Sequence, residues 1–293
     1  MERFRVGTGP FRVFASPRFD QNHMETPRRF KFNCNDVPER FPEDAILIIG
    51  AGHFGLRAAR ILDCTLDAPM WIVDKDMDRL RKLKEPRFAK ISCEGADFLV
   101  RHFLRLAPST RIIPAIPIHL AFEWLRGYLI NDLEIRQIAV PEMIQRCPAH
   151  AWEGEKGSVL ISYADFRCPD DCPEPVDYCT MTGEKRETPL YEMLTHLNLP
   201  GYHIHILRSH QLAPGVGGYL ARDLHALLNE VRRKGEGSWL IGTACRCHGT
   251  MTAMQTGKSA TRCFLGSERP HKSGNHLLPQ ASQNLEAKKS YDG

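Results

Sequence analysis

The sequence predicts an α/β fold in two parts: a doubly wound parallel sheet with helices on both faces, followed by a second, cysteine-rich α/β unit. Three observations carry this. Short apolar runs alternate with stretches of helical period along most of the 293-residue chain, the pattern of strands joined by crossover helices. A glycine-rich turn, Gly50-Ala51-Gly52-His53-Phe54-Gly55, stands between the first apolar run and the first helical stretch. Five of the ten cysteines fall in two short segments of the second half.

Met1 to Glu43 is rich in arginine, proline and phenylalanine and has no period, so residues 1–43 read as an arm that is disordered or drapes over the domain. Cys34 within it reads as a bystander. Ala45 to Ile49 is an apolar run flanked by acidic residues and glycine, as a buried parallel strand should be. The glycine turn follows at once. Gly50 permits a tight turn, Gly52 lets the backbone approach a diphosphate, and Gly55 allows close packing of helix on strand, while the N–H groups of the helix start, with His53 and Phe54 inside the turn, face the phosphates. Leu56 to Leu62 continues as helix. Met70 to Val73 is the second strand, ending in Asp74 at the place expected for an acid that binds ribose hydroxyls. An acid there favours NAD; the neighbouring Lys75 leaves NADP open. This is a Rossmann-like nucleotide site over residues 44–147.

The stretch Asp44 to Asp97, with its glycine turn, second strand and Asp74-Lys75-Asp76-Met77-Asp78-Arg79-Leu80 continuation, resembles the nucleotide-binding N-terminal domain of the TrkA and RCK potassium-transport regulators. Where that family has Gly-Asp-Ala after its third strand, this chain has Glu94-Gly95-Ala96-Asp97. The resemblance implies a bound dinucleotide and a membrane transporter as partner. No counterpart of the family's regulatory C-terminal domain is evident.

Further along, Arg87 to Ile91, Arg111 to Ala115 and Arg136 to Val140 read as strands of the same sheet, with helices at Phe98 to Leu106 and about Ile118 to Asn131. Pro114 would line the cofactor crevice, and His119 would serve as a cap or surface residue. In the second unit, residues 148–250, strands are expected at Ser158 to Ala164, Tyr202 to Leu207 and Ser238 to Thr243. Helices are expected at Pro189 to Leu197 and from Gly217 or Tyr219 through Lys234, where Leu220, Leu224, Leu227, Leu228 and Val231 share a face. From Gly249 onward the sequence loses its period, so residues 251–293 read as a mostly disordered tail.

The loops after these three strands should open on one edge of a parallel sheet. They hold Cys168, Cys172 and Cys179, then Ser209-His210, then Cys245-Arg246-Cys247-His248. Gathered thiolates repel unless a cation pairs them. Cys168, Cys172, Cys245 and Cys247 would supply four sulfurs to zinc or an iron–sulfur cluster, with Cys179 and His248 as substitutes; reduced thiols with a redox-active pair are the alternative. Cys64, Cys93, Cys147 and Cys263 are scattered and read as single core or surface residues. His210 is the first candidate for general acid or base, with Tyr163 and Asp165 beside the first cysteine loop as further candidates. Pro214-Gly215-Val216-Gly217-Gly218 before a helix is either a second anion cradle, with Arg208, or a plain turn.

A net charge of +4 without basic clustering gives no case for nucleic acid. No apolar run reaches membrane-spanning length and the N-terminus lacks a signal-peptide core, so a cytoplasmic protein is expected, one that is not inserted in a membrane, with self-association into a homo-oligomer left open; its cysteines would be thiols or ligands rather than disulfides. Two functions fit. One is an NAD(P)-dependent oxidoreductase acting on a small-molecule substrate beside a cysteine-ligated metal. The other is a non-catalytic nucleotide or redox sensor.

Overall fold

The structure is a computed structural model that describes residues 33–85, 87–146 and 150–258; the first thirty-two residues of the expected arm, Cys147, Cys263 and the tail from 259 lie outside that range. It is a mixed α/β fold with two multi-stranded sheets. The first unit runs β1 (Ile46–Ile49), α1 (His53–Thr65), β2 (Met70–Asp74), α2 (Met77–Arg81), β3 (Phe88–Ser92), α3 (Gly95–His102), β4 (Arg111–Pro114) and α4 (Leu120–Leu129). The chain continues through β5 (Leu133–Ile138), α5 (Glu142–Gln145), β6 (His150–Glu153), β7 (Val159–Ser162), α6 (Leu190–Thr195), β8 (Tyr202–Arg208), β9 (His210–Ala213), β10 (Val216–Leu220), α7 (Ala221–Lys234), β11 (Gly237–Ala244) and β12 (His248–Lys258).

The first sheet has the order β3-β2-β1-β4-β10-β9. Its first four strands are parallel, and β10 and β9 extend it antiparallel. β1 is buried on both faces, as its unbroken apolar run requires: Ile46 and Ile48 pack with Ala58 and Leu62 of α1 and Leu80 of α2, while Leu47 and Ile49 join the core on the other side with α3, α4 and α7. That second core also takes Trp239, Ile241 and Met254 from the second sheet. One apolar interior therefore cements the two sheets together.

The second sheet has the order β6-β7-β12-β11-β8, and β5 pairs with β12 beyond the end of β7. It is mixed rather than parallel. Because β12 is antiparallel to β5, β7 and β11, and β8 is parallel to β11, the strands β5, β7, β8 and β11 all point the same way. The ends of β7, β8 and β11 thus lie on one edge, as expected: β8 and β11 pair directly in parallel, and β7 is brought to the same edge through the interposed antiparallel β12.

Several expectations are corrected. β5 does not continue the first sheet; its alternating exposed and half-buried residues suit an edge position beside β12. The segment from Pro214 to Gly218 is the turn and start of a β-hairpin, β9–β10, and Tyr219 is the fourth residue of a strand, so the helix begins only at Ala221. The stretch after Gly249 is not aperiodic tail but β12, the central strand of its sheet; burial on both sides replaces the alternation that would have marked it. Of the two readings of the arm, the described residues 33–43 follow the second and drape over the domain, anchored by Phe41, which is edge-on to Trp71 at 4.8 Å with its N–H bonded to the Arg105 carbonyl at 2.8 Å. Cys34 is disulfide-bonded to Cys93, because the arm folds back on α3, where His102 Nε2 lies 2.8 Å from the Cys34 carbonyl. His119 is buried and makes no helix cap. Its Nδ1 lies 3.0 Å from Thr252 Oγ1 and its Nε2 3.1 Å from Thr243 Oγ1, so it ties α4 to the second sheet. Among the described residues no helix is long and apolar enough to cross a membrane.

Candidate functional site

The glycine turn is set by backbone contact. Gly50 has φ +108°, and a Cβ there would lie 2.4 Å from the Ala115 carbonyl oxygen; a Cβ on Gly55 would lie 1.8 Å from the carbonyl oxygen of Gly50 itself. Both positions therefore demand glycine. A Cβ on Gly52 would meet nothing closer than Arg79 Nη1 at 4.0 Å, so the middle of the turn opens on free space. Gly52 is also the N-cap of α1 and lends no side-chain cap, which leaves the first N–H groups of the helix unclaimed from within it.

Asp74 is buried at the end of β2. Its Oδ2 accepts from the Ala51 N–H at 2.6 Å and its Oδ1 from the Asp76 N–H at 2.8 Å. The carboxylate thus clamps the glycine turn to the neighbouring strand, a positioning role that sequence reasoning missed. Arg79 was missed as well: its Nη1 is 3.7 Å from Asp74 and its Nε 3.2 Å from Asp76. The clue lay in the Asp-x-x-Arg spacing, since Asp76 caps α2 and Arg79 sits one turn further on. Lys75 is exposed and pairs with Glu94 at 3.3 Å. Pro114 borders the crevice with Ile116, whose Cγ2 would be 2.7 Å from a Cβ on Gly50.

The thiol edge is built differently. The segment from Ala164 to Thr188 has three prolines and no helix or strand of its own. It is pinned by side chains and tight turns. The Gly183 N–H donates to the Cys179 carbonyl at 2.7 Å, and the Cys179 sulfur accepts from the N–H groups of Thr182 and Met181. Burial pushes the Cys179 thiol up, but those donors, with Arg186, bring it below its ordinary value. Cys245 repeats the motif, its sulfur accepting from the Cys247 and His248 N–H groups, each at 3.4 Å. There burial and then Glu174 push the thiol up to about 12.

Cys168 Sγ is 3.4 Å from His248 Nε2, and Cys172 Sγ is 3.9 Å from Thr180 Oγ1. The Arg186 guanidinium donates to Cys247 Sγ. Burial holds Cys247 up at about 11, against the pull of Arg186. All six predicted ligands are thus brought to one region. Among the described residues, however, no three His, Cys, Asp or Glu side chains close on a single point as a metal would need.

The two halves meet in a cleft of about 780 Å³. Phe54 from the glycine turn lines it, together with Cys168, Cys172, Cys245 and Cys247. Direct bonds hold its walls together: His53 Nε2 to Asp170 Oδ2 at 2.7 Å, Arg57 Nη1 to the Pro214 carbonyl at 3.0 Å, and the Gly215 N–H to the Cys172 carbonyl at 3.0 Å. Gly215 has φ +69°, and a Cβ there would lie 1.7 Å from the Asp170 carbonyl oxygen. Of the two readings of this glycine segment, anion cradle or plain turn, the turn is found, and Gly215 lets the hairpin approach the cysteine loop.

Of the acid–base candidates, Asp165 lines the cleft, whereas the Tyr163 hydroxyl donates to the Thr188 carbonyl at 3.0 Å and anchors the loop's far end. His210 is exposed on β9, and strand alternation gives the cleft Ser209 and Gln211 in its place. Arg208 lies over the Tyr191 ring at 4.3 Å.

A family model described as "Uncharacterized protein, C-terminal domain" matches residues 121–257, from the first turn of α4 almost to the end of β12. The chain is also similar to a protein of Archaeoglobus fulgidus named "Uncharacterized protein", 28% identical over 221 residues that cover 71% of this chain and 98% of the relative. No solved structure matches.

Proposed function

We propose that this protein binds a dinucleotide, NAD or NADP, in a Rossmann-like crevice at Gly50 to Gly55, and that it is an oxidoreductase with a cysteine-ligated metal, zinc or an iron–sulfur cluster, beside that crevice. The observation that carries the reading is the shared cleft, in which Phe54 of the glycine turn and four cysteines of two separate loops face one space. The parallel order β3-β2-β1-β4 supports the nucleotide half, since the turn after β1 opens at the carboxyl ends of the strands, where such sheets hold ligands. The diphosphate would rest over Gly52 on the free N–H groups of α1, with Arg79 beside it.

The donor set fits a metal in kind. Backbone N–H groups favour the thiolate of Cys179, whose thiol lies below its ordinary value, whereas at Cys245 the same kind of donor is outweighed by burial and Glu174, and a cation would have to offset that; Arg186 supplies positive charge among the sulfurs. It does not yet fit in spacing, so loading would require the Arg186 guanidinium to give way. A zinc ion bound there would supply a Lewis acid able to polarise a carbonyl. The chain's own part is to hold the substrate pocket against the nucleotide, through the His53–Asp170 and Arg57–Pro214 bonds.

Those same bonds favour a second reading, a nucleotide or redox sensor resembling the potassium-transport regulators, with a membrane transporter as partner. They connect the thiol loop rigidly to α1, so a change in the state of the cysteines would move the helix that faces the phosphates.

Metal analysis and nucleotide identification on the protein as purified test the proposal. We expect bound dinucleotide and close to one metal centre per chain, with Cys172→Ser and Cys245→Ser each lowering metal content. If only one of them does, the two loops do not share a centre. Transfer of labelled hydride from NADH to a carbonyl substrate separates the enzyme from the sensor.

A further inference from the structure

The walls of the thiol cleft are unusually apolar for an exposed surface. Phe54, Trp152, Leu160 and Phe166 are among the large hydrophobic side chains most open to solvent, at 52%, 45%, 46% and 36% exposure, and all four line this one concavity. Scattered exposed hydrophobics need no explanation, but four converging on one cleft mark a binding surface. Trp152 and Leu160 are cross-strand partners on β6 and β7 and form one wall. Phe54 comes from the opposite sheet. His150 stacks on Trp152, with centroids 5.8 Å apart and planes at 29°, and His53 meets Phe54 edge-on at 5.1 Å. A histidine thus packs against each of these two rings, and both rings line the cleft.

The charges of the cleft narrow the ligand. Asp165, Asp170 and Glu174 line it against a single arginine, Arg167. A phosphate-bearing ligand would face three carboxylates there, and a flat ring without anionic groups would not.

We infer that this cleft is a stacking site for an uncharged, planar conjugated ligand of the quinone class, held against Trp152 and Phe166 with its edge toward the cysteines. The quinone assignment rests on the oxidoreductase reading, which requires an acceptor for hydride. In that step the reduced dinucleotide gives up a hydride and solvent gives a proton, the two carbonyls of the quinone become two hydroxyls, and the oxidised dinucleotide remains. The stacking site itself rests only on the geometry of the walls.

Duroquinone is the probe, since its ring carries a methyl group at every open carbon and offers no unsubstituted position for thiol addition. The readout is built into the chain: Trp71, Trp124 and Trp239 are buried, so quenching of tryptophan emission by a quinone in contact with the ring reports chiefly on Trp152. On nucleotide-free protein we expect saturable quenching, confirmed by equilibrium dialysis. Phe166→Ala and Trp152→Leu, both at exposed positions that should not disturb folding, should each weaken dialysis binding about tenfold. Cyclohexane-1,4-dione, with the same carbonyls on a puckered ring, should bind at least about tenfold more weakly. Quenching that rises linearly without saturation, unchanged affinity in both variants, or equal binding of the dione would overturn the inference. Tight duroquinone binding in a protein that never takes up dinucleotide would uphold the stacking site and remove the oxidoreductase reading instead.

Discussion

The two halves of the cleft reach comparable order by opposite means. The glycine turn is held by main chain against main chain: Gly50 on Ala115, Gly55 on Gly50, and the Ala51 N–H on a buried carboxylate. Only the Asp74 carboxylate in it has a rotamer to change, and that side chain is buried and bonded through both oxygens. The cysteine loop is held by side chains and sulfurs, among them Arg246 on the Val176 carbonyl, Gln211 on the Cys172 carbonyl and Arg186 on Cys247. These can rearrange. The first half suits a ligand of fixed shape, and the second suits a site whose occupant changes charge or coordination. The contrast also shows why the conformation of three glycines is readable from sequence while the spacing within the thiol set is not: backbone sterics act over a few residues, whereas the thiols meet through loops about 80 residues apart.

Breaking each half should separate these roles. The largest effect is expected from Ala253→Asp, which puts an unpaired charge at a fully buried position of β12 and should cost about 3 kcal/mol or more. Because one core spans both sheets, thermal melting should remain a single transition at a lower temperature; two separated transitions would show that the halves are independent. Gly55→Ala should follow, at about 3 kcal/mol, since its methyl group overlaps the Gly50 carbonyl oxygen and the helix must move off the strand.

His119→Gln sharpens the comparison at the joint between the sheets. Burial holds the His119 imidazole down at about 3, against an ordinary value of 6.5. The unfolded chain therefore takes up the proton first, and the stability tied to neutral His119 is complete above pH 6.5 and lost as pH falls toward 3. Denaturant titrations should show wild-type protein losing up to about 1.4 kcal/mol per pH unit in that window from this group, and the glutamine variant should lack this component. Parallel pH profiles of the two proteins would sink the assignment. The smallest change in stability is expected from Gly52→Glu, whose side chain enters open space. It should leave the melting temperature unaltered while weakening dinucleotide binding at least about a hundredfold, by placing a carboxylate where the proposed diphosphate would sit; undiminished affinity would remove the proposed diphosphate from this turn.

Much of the first sheet was legible because its strands are local, apolar and punctuated by glycine and proline. The second sheet was harder. β5 leaves the first unit to pair with β12 more than a hundred residues later, and no local pattern records such a partnership. Asp74 was legible as an acid at a strand end but not as a clamp, since its partner is a backbone N–H rather than a side chain. The cysteine set was visible by residue type; what sequence could not supply was Arg186, which lies between the two cysteine segments in the chain yet contacts the second. The disulfide of Cys34 was hidden because it depends on the arm folding back over α3.

The placement of β12 bears on the order in which the molecule can be made. This last described strand is the axis of its sheet, flanked by β11 on one side and by β5 and β7 on the other. During synthesis, β5 emerges without its partner and β7 with β6 on one side only, and both must wait for β12, which ends at residue 258, to clear the ribosome. A nascent chain stalled before that point would carry a finished glycine turn beside strands with bare edges, the kind of surface that chaperones cover.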